Sequence, residues 1–458
     1  MNYTPRPPHG SSNRGFSDSP SENRPPERSG DRRSDRPSHR PAERRPDRRS
    51  GEASQRSGQA PQRQGVARAP AALPLFVTCG HGLEPLLHEE LTELGFANVS
   101  EGYRGVYVED SSFESIYRIN YCSRIAGRVL LPIKQFRCYD RDTLYRQALE
   151  VDWLRYIGKG RTFAIDSNVS HKTLRNSLFA AQVVKDAICD QFRERTGQRP
   201  SVDSSHPQIQ LNLFIHHENA VLSFDTSGQP LYKRGYRQQS GEAPMQETLA
   251  AALLRMAKYR GDEIFLDPCC GSGTLLIEAA LIASRTAPGF LRKEWGFTKH
   301  PHFSMQTWLQ VKGEADSQRI PLLPEHFFGI DVDFEAVRMC KANLRAVGFH
   351  SLVDIAQEDV RVYAPEIRPN FVITNPPYGR RLDDVEHLRA LYRSLGDFLK
   401  RMTAKPARGF IFTGSYDLTK EVGLATARRY VIESGGIEAR LLEFDLYDAS
   451  GKQGSEPA

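Results

Sequence analysis

The sequence predicts an α/β chain, with a Rossmann-like parallel-sheet domain in its C-terminal half, a smaller α+β region before it and a basic tail at the front. Three observations carry this. First, Ile264-Phe265-Leu266 runs into the glycine turn Asp267-Pro268-Cys269-Cys270-Gly271-Ser272-Gly273-Thr274 and then into an apolar helix, Leu275 to Ser284. Strand, glycine turn and helix in that order make a ligand site in doubly wound sheets. Second, the apolar runs Phe327–Ile330, Val353–Ala356 and Phe371–Thr374 are short enough to be buried parallel strands. They lead to Asp331, Asp359 and Asn375. Third, strand and helix patterns alternate between Leu75 and Phe224, as in small α+β units of ferredoxin-like type.

The first seventy residues hold fifteen arginines, no lysine and eight acids, a balance of +7. The rest of the chain, with 47 basic and 48 acidic residues, carries −1. The excess positive charge therefore sits in a segment of Arg, Pro, Ser, Gly and Asp with almost no large apolar side chains. Such a segment cannot bury enough surface to offset ordering entropy and is predicted to be disordered. Its guanidinium groups suit a phosphate backbone, although the interspersed acids dilute that attraction. The chain has no apolar run long enough to span a bilayer and no signal-peptide core, which predicts a cytoplasmic protein without membrane contact. The seven cysteines form no C-x-x-C pair and no Cys/His cluster with zinc spacing, so free thiols and no metal are expected.

Order is predicted from Leu75. Leu75–Cys79 reads as a strand, Glu84–Leu94 as a helix closed by Gly95, and Gly105–Val108 as a strand. Phe113–Ile119 reads as a helix and Arg128–Phe136 as a strand, completing a first unit. A second unit has strands at Thr162–Ile165, Ile209–Phe214 and Val221–Phe224. Its long helix, Asn176–Thr196, puts Leu178, Ala181, Val184, Ile188 and Phe192 on one face. Lys172, Arg175 and Lys185 are candidate phosphate contacts, and an ordinary solvated helix face is the competing reading. Lys233-Arg234-Gly235-Tyr236-Arg237 is a basic turn with an aromatic, suited to phosphate contact and base stacking, or else a charged linker. Ala243–Thr248 leads into a helix, Leu249–Tyr259, with Pro244 and Glu247 as helix-start chemistry.

In the Rossmann-like half, Gly271 and Gly273 let the backbone approach a ligand without a Cβ in the way. The turn is neither a phosphate loop nor a full dinucleotide fingerprint. An acid at its start, Asp267, suits a ligand bearing cationic groups, and S-adenosylmethionine has both an ammonium and a sulfonium. Asp331 stands where a ribose diol would be held, and Asp359 where an adenine amino group would be accepted. The gap between glycine turn and Asp331 is unusually long, so Arg285–Glu325 reads as an insertion, with Trp295, His300, His302 and Trp308 in it. It either shapes the substrate side or covers the sheet.

Asn375-Pro376-Pro377-Tyr378 must turn where its strand ends, because two prolines cannot continue a ladder. The Asn375 amide oxygen and the Pro376 carbonyl can both accept from an exocyclic base amine, and Tyr378 can stack on the base. By itself the segment could be an ordinary Asn-Pro turn. Three acids at the ends of three preceding strands weigh against that. The helix Leu388–Leu399, the strand Gly409–Thr413, the helix Thr419–Thr426 and the strand Ile437–Tyr447 finish the domain.

Two stretches carry a family resemblance. Asp225-Thr226-Ser227-Gly228 with Leu231–Arg237 resembles the junction between a THUMP RNA-binding domain and a methyltransferase domain in the bacterial large-subunit ribosomal RNA guanine-N2 methyltransferases. Asn176–Asp190, with Lys185-Asp186-Ala187-Ile188, is similar to the THUMP helix of that family, whose members carry a comparable insertion beginning Ala287-Pro288-Gly289. The resemblance spans residues 72–448 and implies a disordered tail at 1–71, a ferredoxin-like unit at 72–140, a THUMP domain at 141–228, a class I S-adenosylmethionine-dependent methyltransferase domain at 229–448 and a disordered end at 449–458. It also implies that Pro244 and Glu247 flank the cofactor, and that the partner is 23S ribosomal RNA or a large-subunit precursor particle.

Asn-Pro-Pro-Tyr does not separate guanine N2 from adenine N6 or cytosine N4. The guanine reading rests on the resemblance. An adenine-N6 methyltransferase acting on RNA or DNA and a non-catalytic RNA-binding assembly factor remain alternatives. No cysteine adjoins Asn375–Tyr378, which argues against pyrimidine C5 methylation, a reaction that needs a thiolate adduct.

Overall fold

A computed structural model describes residues 73–239, 244–378, 385–434 and 437–448. The Arg-rich tail and the last ten residues lie outside them. In the N-terminal half, β1 (Leu75–Thr78), α1 (Glu84–Glu93), β2 (Val99–Gly102), β3 (Gly105–Val108), α2 (Phe113–Cys122) and β4 (Arg128–Arg137) follow in βαββαβ order. Then come α3 (Arg141–Leu149), α4 (Trp153–Ile157), β5 (Phe163–Ser170), α5 (Ser177–Thr196), β6 (Ile209–His216) and β7 (Asn219–Asp225).

The two predicted small units share one seven-stranded sheet, ordered β2-β3-β1-β4-β7-β6-β5. The ten-residue β4 makes this possible. Its start, Arg128–Leu130, pairs with β1, and its remainder, Leu130–Arg137, pairs with β7. The predicted inward stripe of α5 also needs one correction, since Leu178 is 67% exposed. The helix starts at Ser177 behind an Asn176 cap, and its first turn stands clear of the sheet.

The second half comprises α6 (Glu247–Met256), β8 (Phe265–Asp267), α7 (Thr274–Ala283), α8 (Met305–Asp316), β9 (Phe327–Asp331), α9 (Phe334–Val347), β10 (Asp354–Gln357), β11 (Phe371–Thr374), α10 (Val385–Arg401), β12 (Ala407–Thr413), α11 (Tyr416–Glu421), β13 (Arg428–Ser434) and β14 (Ile437–Leu446). Its sheet runs β10-β9-β8-β11-β12-β14-β13. The first five strands in that order are parallel, and β14 is antiparallel to both neighbours. Strand order reverses between β8 and β11, so the ends of β8, β9, β10 and β11 gather at a topological switch point. The predicted helix at Thr419–Thr426 sits earlier, because Ser415 caps it through Leu418 N and Gly423 lies beyond its end at φ +63°.

The insertion joins the two halves. Phe297 N donates to Thr226 O at 2.7 Å and Gly289 N to Tyr121 O at 3.1 Å. Arg292 donates to the carbonyls of Ser227, Gln229 and Pro230. Tyr117 and Tyr121 of α2 pack with Trp295, Phe297 and Trp308, and one apolar cluster runs from β1 through this aromatic group into α6 and α7. Burial of several large aromatics makes this a firm junction.

Candidate active site

The site is built on the carboxyl edge of the second sheet. At the end of β8, Asp267 is 1% exposed. Its Oδ1 accepts from Cys269 N at 3.2 Å and from the Thr374 hydroxyl, at the end of β11, at 2.7 Å. Burial pushes the carboxyl up to about 7 against the pull of those two donors. At the end of β9, Asp331 accepts from Gly271 N at 2.8 Å and from Asp333 N at 3.0 Å, and burial raises its carboxyl as well. The turn after β10 is held to this edge by Glu358 N, which donates to Asp331 O at 3.1 Å.

Gly273 opens α7 at φ +84°, and a Cβ there would lie 2.5 Å from Cys340 Sγ. Gly271, at φ +53°, faces nothing within 4 Å. The first glycine is required by the packing of α9, and the second borders open space. Cys270 is buried and Cys269 partly so; burial pushes the Cys269 thiol up, and contact with the Cys340 thiol, with burial behind it, raises that of Cys270, as expected of packing residues rather than nucleophiles.

Beyond β11, Asn375 Oδ1 is shielded from solvent and has no hydrogen-bond partner among the described residues. Pro376 is buried, Pro377 exposed and Tyr378 half-buried against the apolar cluster beneath α10. An orphaned buried acceptor costs about 1–3 kcal/mol, which a bound amine would relieve. Asp267, Asp331 and Asn375 thus stand at the ends of three adjacent strands, β8, β9 and β11.

Other predicted residues stand differently. The Asp359 carboxylate is already paired with Arg361, whose guanidinium and backbone N–H hold it below the usual carboxylate range. Pro244 is exposed and precedes Gln246, the residue before α6, so it is not in the first turn. Glu247 is buried and spends its carboxylate on Arg237 Nε at 2.9 Å. Arg237 also donates to Met245 O at 2.8 Å and Thr274 Oγ1 at 3.1 Å. Both side chains therefore brace the glycine turn, and Arg237 is not an open phosphate contact. Arg234 is corrected more strongly, for it is 2% exposed and lies 3.4 Å from Glu278 of α7. Lys233 is exposed and bonded to Gln229 Oε1. Lys172 and Arg175 are exposed just before α5, where Leu178 and Phe179 also face solvent. Lys185 lies farther along α5, paired with Asp186 at 3.0 Å.

Three contributors escaped the sequence reading. Thr374 reads there only as the last residue of a strand. Asn343, 1% exposed, accepts from Gln238 N at 2.9 Å and donates to Ser272 O at 2.9 Å, pinning the glycine turn to α9. Its signal was an amide beside the apolar stripe of Val337, Cys340, Leu344 and Val347. Val332, directly after Asp331, is 64% exposed and offers an apolar face at this edge of the sheet. Among the described residues, no group of three or more His, Cys, Asp or Glu is placed to hold a metal ion, and no helix is long and apolar enough to cross a membrane.

The edge fits S-adenosylmethionine: buried acids suit its cationic amino-acid end and its ribose, and the open space at Gly271 admits it. Comparison with known proteins agrees. Residues 234–442 match the RMKL-like methyltransferase domain, 138–225 the THUMP domain and 74–130 the RlmL ferredoxin-like domain. The chain is 39% identical over 392 residues to the ribosomal RNA large subunit methyltransferase K/L of Syntrophotalea carbinolica, covering 82% of this chain but 54% of that protein. It thus spans about half the length of such relatives. A candidate RNA methyltransferase of Synechocystis, slr0064, is 36% identical, with 82% of this chain and 97% of that one covered. The crystal structure of SMU.472, a candidate methyltransferase complexed with SAH, superposes with a TM-score of 0.73 at 26% identity, over 85% of this chain and 100% of that one. With these matches laid over the strand order and the cofactor edge, the chain belongs to the RMKL-like family of THUMP-bearing, S-adenosylmethionine-dependent class I methyltransferases.

Proposed function

We propose that this enzyme methylates the exocyclic N2 of a guanine in RNA, with 23S ribosomal RNA or a large-subunit precursor particle as substrate. The reading is carried by Asn375, a shielded amide oxygen without a partner among the described residues, at the strand end beside Asp267. S-adenosylmethionine supplies an electrophilic methyl group on a sulfonium. An exocyclic amine is a poor nucleophile because its lone pair is delocalised into the ring. Asn375 Oδ1 and the Pro376 carbonyl accept its two N–H bonds and turn that lone pair out of the ring plane. Positioning of this kind contributes several kcal/mol and needs no strong base at the moment of attack. Tyr378 stacks on the extruded base and offsets its unstacking. Asp267 and Asp331, with the glycine turn, hold the cofactor.

RNA as substrate is supported by the matched THUMP domain and by the exposed Lys172 and Arg175 next to Phe179. Ribosomal RNA is carried over from the K/L relatives, and the guanine assignment from the family resemblance around Gly228–Arg237 and Ala287–Gly289. The test is mass spectrometry of ribosomal RNA nucleosides from a deletion strain complemented with wild type or Asn375→Ala. Loss of N2-methylguanosine, restored by wild type alone, is the expected result. Loss of N6-methyladenosine instead, or an unchanged profile, would overturn the guanine reading.

A further inference from the structure

The insertion spends its aromatic residues on the junction, but not its basic ones. Its 3-10 turn, Gly296–Lys299, ends on an exposed lysine and is followed by the buried His300 and the exposed His302. Against it rests the turn between α4 and β5, Gly158-Lys159-Gly160-Arg161, inside the segment that matches the THUMP domain. Two contacts lock the turns together. Arg161 Nη1 donates to Lys299 O at 3.1 Å, and Arg155 Nη2 meets His302 Nε2. Beneath them the Tyr156 ring lies 5.7 Å from that of His300. Arg155, Lys159 and Arg161 from one domain and Lys299 from the other are thereby drawn onto one seam. All but the half-buried Arg161 are exposed.

The neighbouring acids do not answer that charge. Asp152, before α4, is taken by Arg195 at 2.7 Å. Asp203, whose backbone N–H bonds Phe163 O, accepts from the backbone N–H of Ser205 and His206. Asp110, before α2, takes Ser112 N and Ser115 Oγ. Among the described residues, none of the four cations is paired with a carboxylate. The field is felt below the surface, where burial, and then the charges of His302 and Arg155, push the His300 imidazole down to about 4. Since the chain after residue 70 carries only −1, the seam is a local concentration of positive charge rather than part of a generally basic surface.

We propose that this seam is a composite phosphate-binding surface for RNA, built half from the THUMP turn and half from the insertion in the methyltransferase domain. The inference rests on RNA as the substrate class and adds where its backbone is held. Guanidinium forks and ammonium groups both suit phosphate oxygens, and such contacts fix the register of an RNA without reading its sequence. The insertion begins where α7 ends, and the ten residues of α7 put about 15 Å between the seam and the glycine turn. The phosphates held here therefore belong to RNA flanking the target, not to the target nucleotide.

The test is titration of the full chain with fluorescein-labelled oligouridylate and with a labelled short RNA duplex, across a series of salt concentrations. Lys159→Ala with Lys299→Ala removes two exposed ammonium groups, neither of which bonds another side chain among the described residues, so the fold is kept and thermal melts check it. Binding should weaken several-fold, and the slope of log affinity against log salt should shrink by roughly 1.4 on the single strand, about 0.7 per lost phosphate contact. Lys159→Arg with Lys299→Arg should restore both. Lys341→Ala with Arg345→Ala takes the same charge from the exposed side of α9 and should leave the slope near that of wild type. In methylation assays the loss at the seam should appear in KM for RNA, with affinity for S-adenosylhomocysteine unchanged. If wild type binds and methylates RNA while the seam variant keeps the wild-type slope, or if the α9 variant loses as much, this proposal alone is overturned. If wild type binds neither RNA, the RNA reading of the active site falls with it.

Discussion

The hydroxyl of Thr374 lies 2.7 Å from the buried carboxyl of Asp267 and donates to it, tying the end of β11 to the end of β8. One residue later comes Asn375, the group proposed to grip the base. One residue after Asp267 begins the turn that proposedly holds the methyl donor. This buried hydrogen bond extends the β8–β11 pairing to the two halves of the proposed site, at the point where strand order reverses.

Asp267 predicts a pH dependence. In the folded chain its carboxyl is pushed up from 3.8 to about 7 by burial. Between those values the folded state keeps a proton that the unfolded chain has released. This contribution to stability is therefore present at the acid end and is lost as pH rises through about 7. A cationic ligand prefers the ionised carboxylate, so S-adenosylhomocysteine, through its ammonium, should bind more tightly from pH 6 to pH 8 and release a proton below about 7. Calorimetry in buffers of different ionisation enthalpy reads both effects. Asp267→Asn should flatten the profile, and Thr374→Val, which removes a donor to the carboxylate, should move its midpoint upward. An unaltered profile in Asp267→Asn would assign the proton elsewhere.

Asn375→Ala should cut kcat by about 10²–10³-fold or more, the scale for losing one positioned polar group that acts in the transition state. Binding of S-adenosylhomocysteine should change little, since the side chain is proposed to grip the base and not the cofactor. Single-turnover methylation of RNA with saturating cofactor separates the two. A variant that keeps near-normal turnover would remove the positioning argument.

Asp331→Ala should have the opposite signature. It takes away the proposed ribose partner and the acceptor for Gly271 N, so the glycine turn loses an anchor as well. Cofactor affinity should fall by tenfold or more, with kcat largely recovered at high cofactor concentration. A loss of kcat with unchanged KM for the cofactor would contradict this role.

What the sequence made legible was the set of features coded within a few residues of one another. Apolar strands that end in Asp267, Asp331 and Asn375 announce themselves, because a short buried strand followed by a turn is a local pattern. Features built from distant partners did not show. Arg128–Arg137 reads as one strand of a small unit, and nothing local says that its far half pairs with β7. Strand β13 escaped because Val431 on it is exposed and the apolar contrast is weak. Arg234 and Arg237 look like a basic patch until Glu278 and Glu247, supplied by α7 and α6, are seen to neutralise them.

That last reassignment yields a contrast between two sets of basic residues. Arg234 and Glu278 are 2% and 0% exposed at their side chains, and Tyr236 Oη also donates to Glu278 at 3.1 Å. Removing one member of such a pair leaves an uncompensated buried charge and costs about 3–5 kcal/mol. Arg234→Ala should therefore lower the denaturant midpoint markedly while leaving the RNA affinity of the folded fraction unchanged. Lys172→Ala with Arg175→Ala should do the reverse. Both side chains are exposed, so stability should hold, whereas RNA binding should weaken and its slope against log salt should shrink by roughly 0.7 per lost phosphate contact on a single strand. Denaturant melts and salt-dependent RNA titrations of the same two proteins decide it. If Arg234→Ala melted like wild type yet bound RNA poorly, the linker would be a nucleic-acid contact after all, and the buried pair would not be the reason for that arginine.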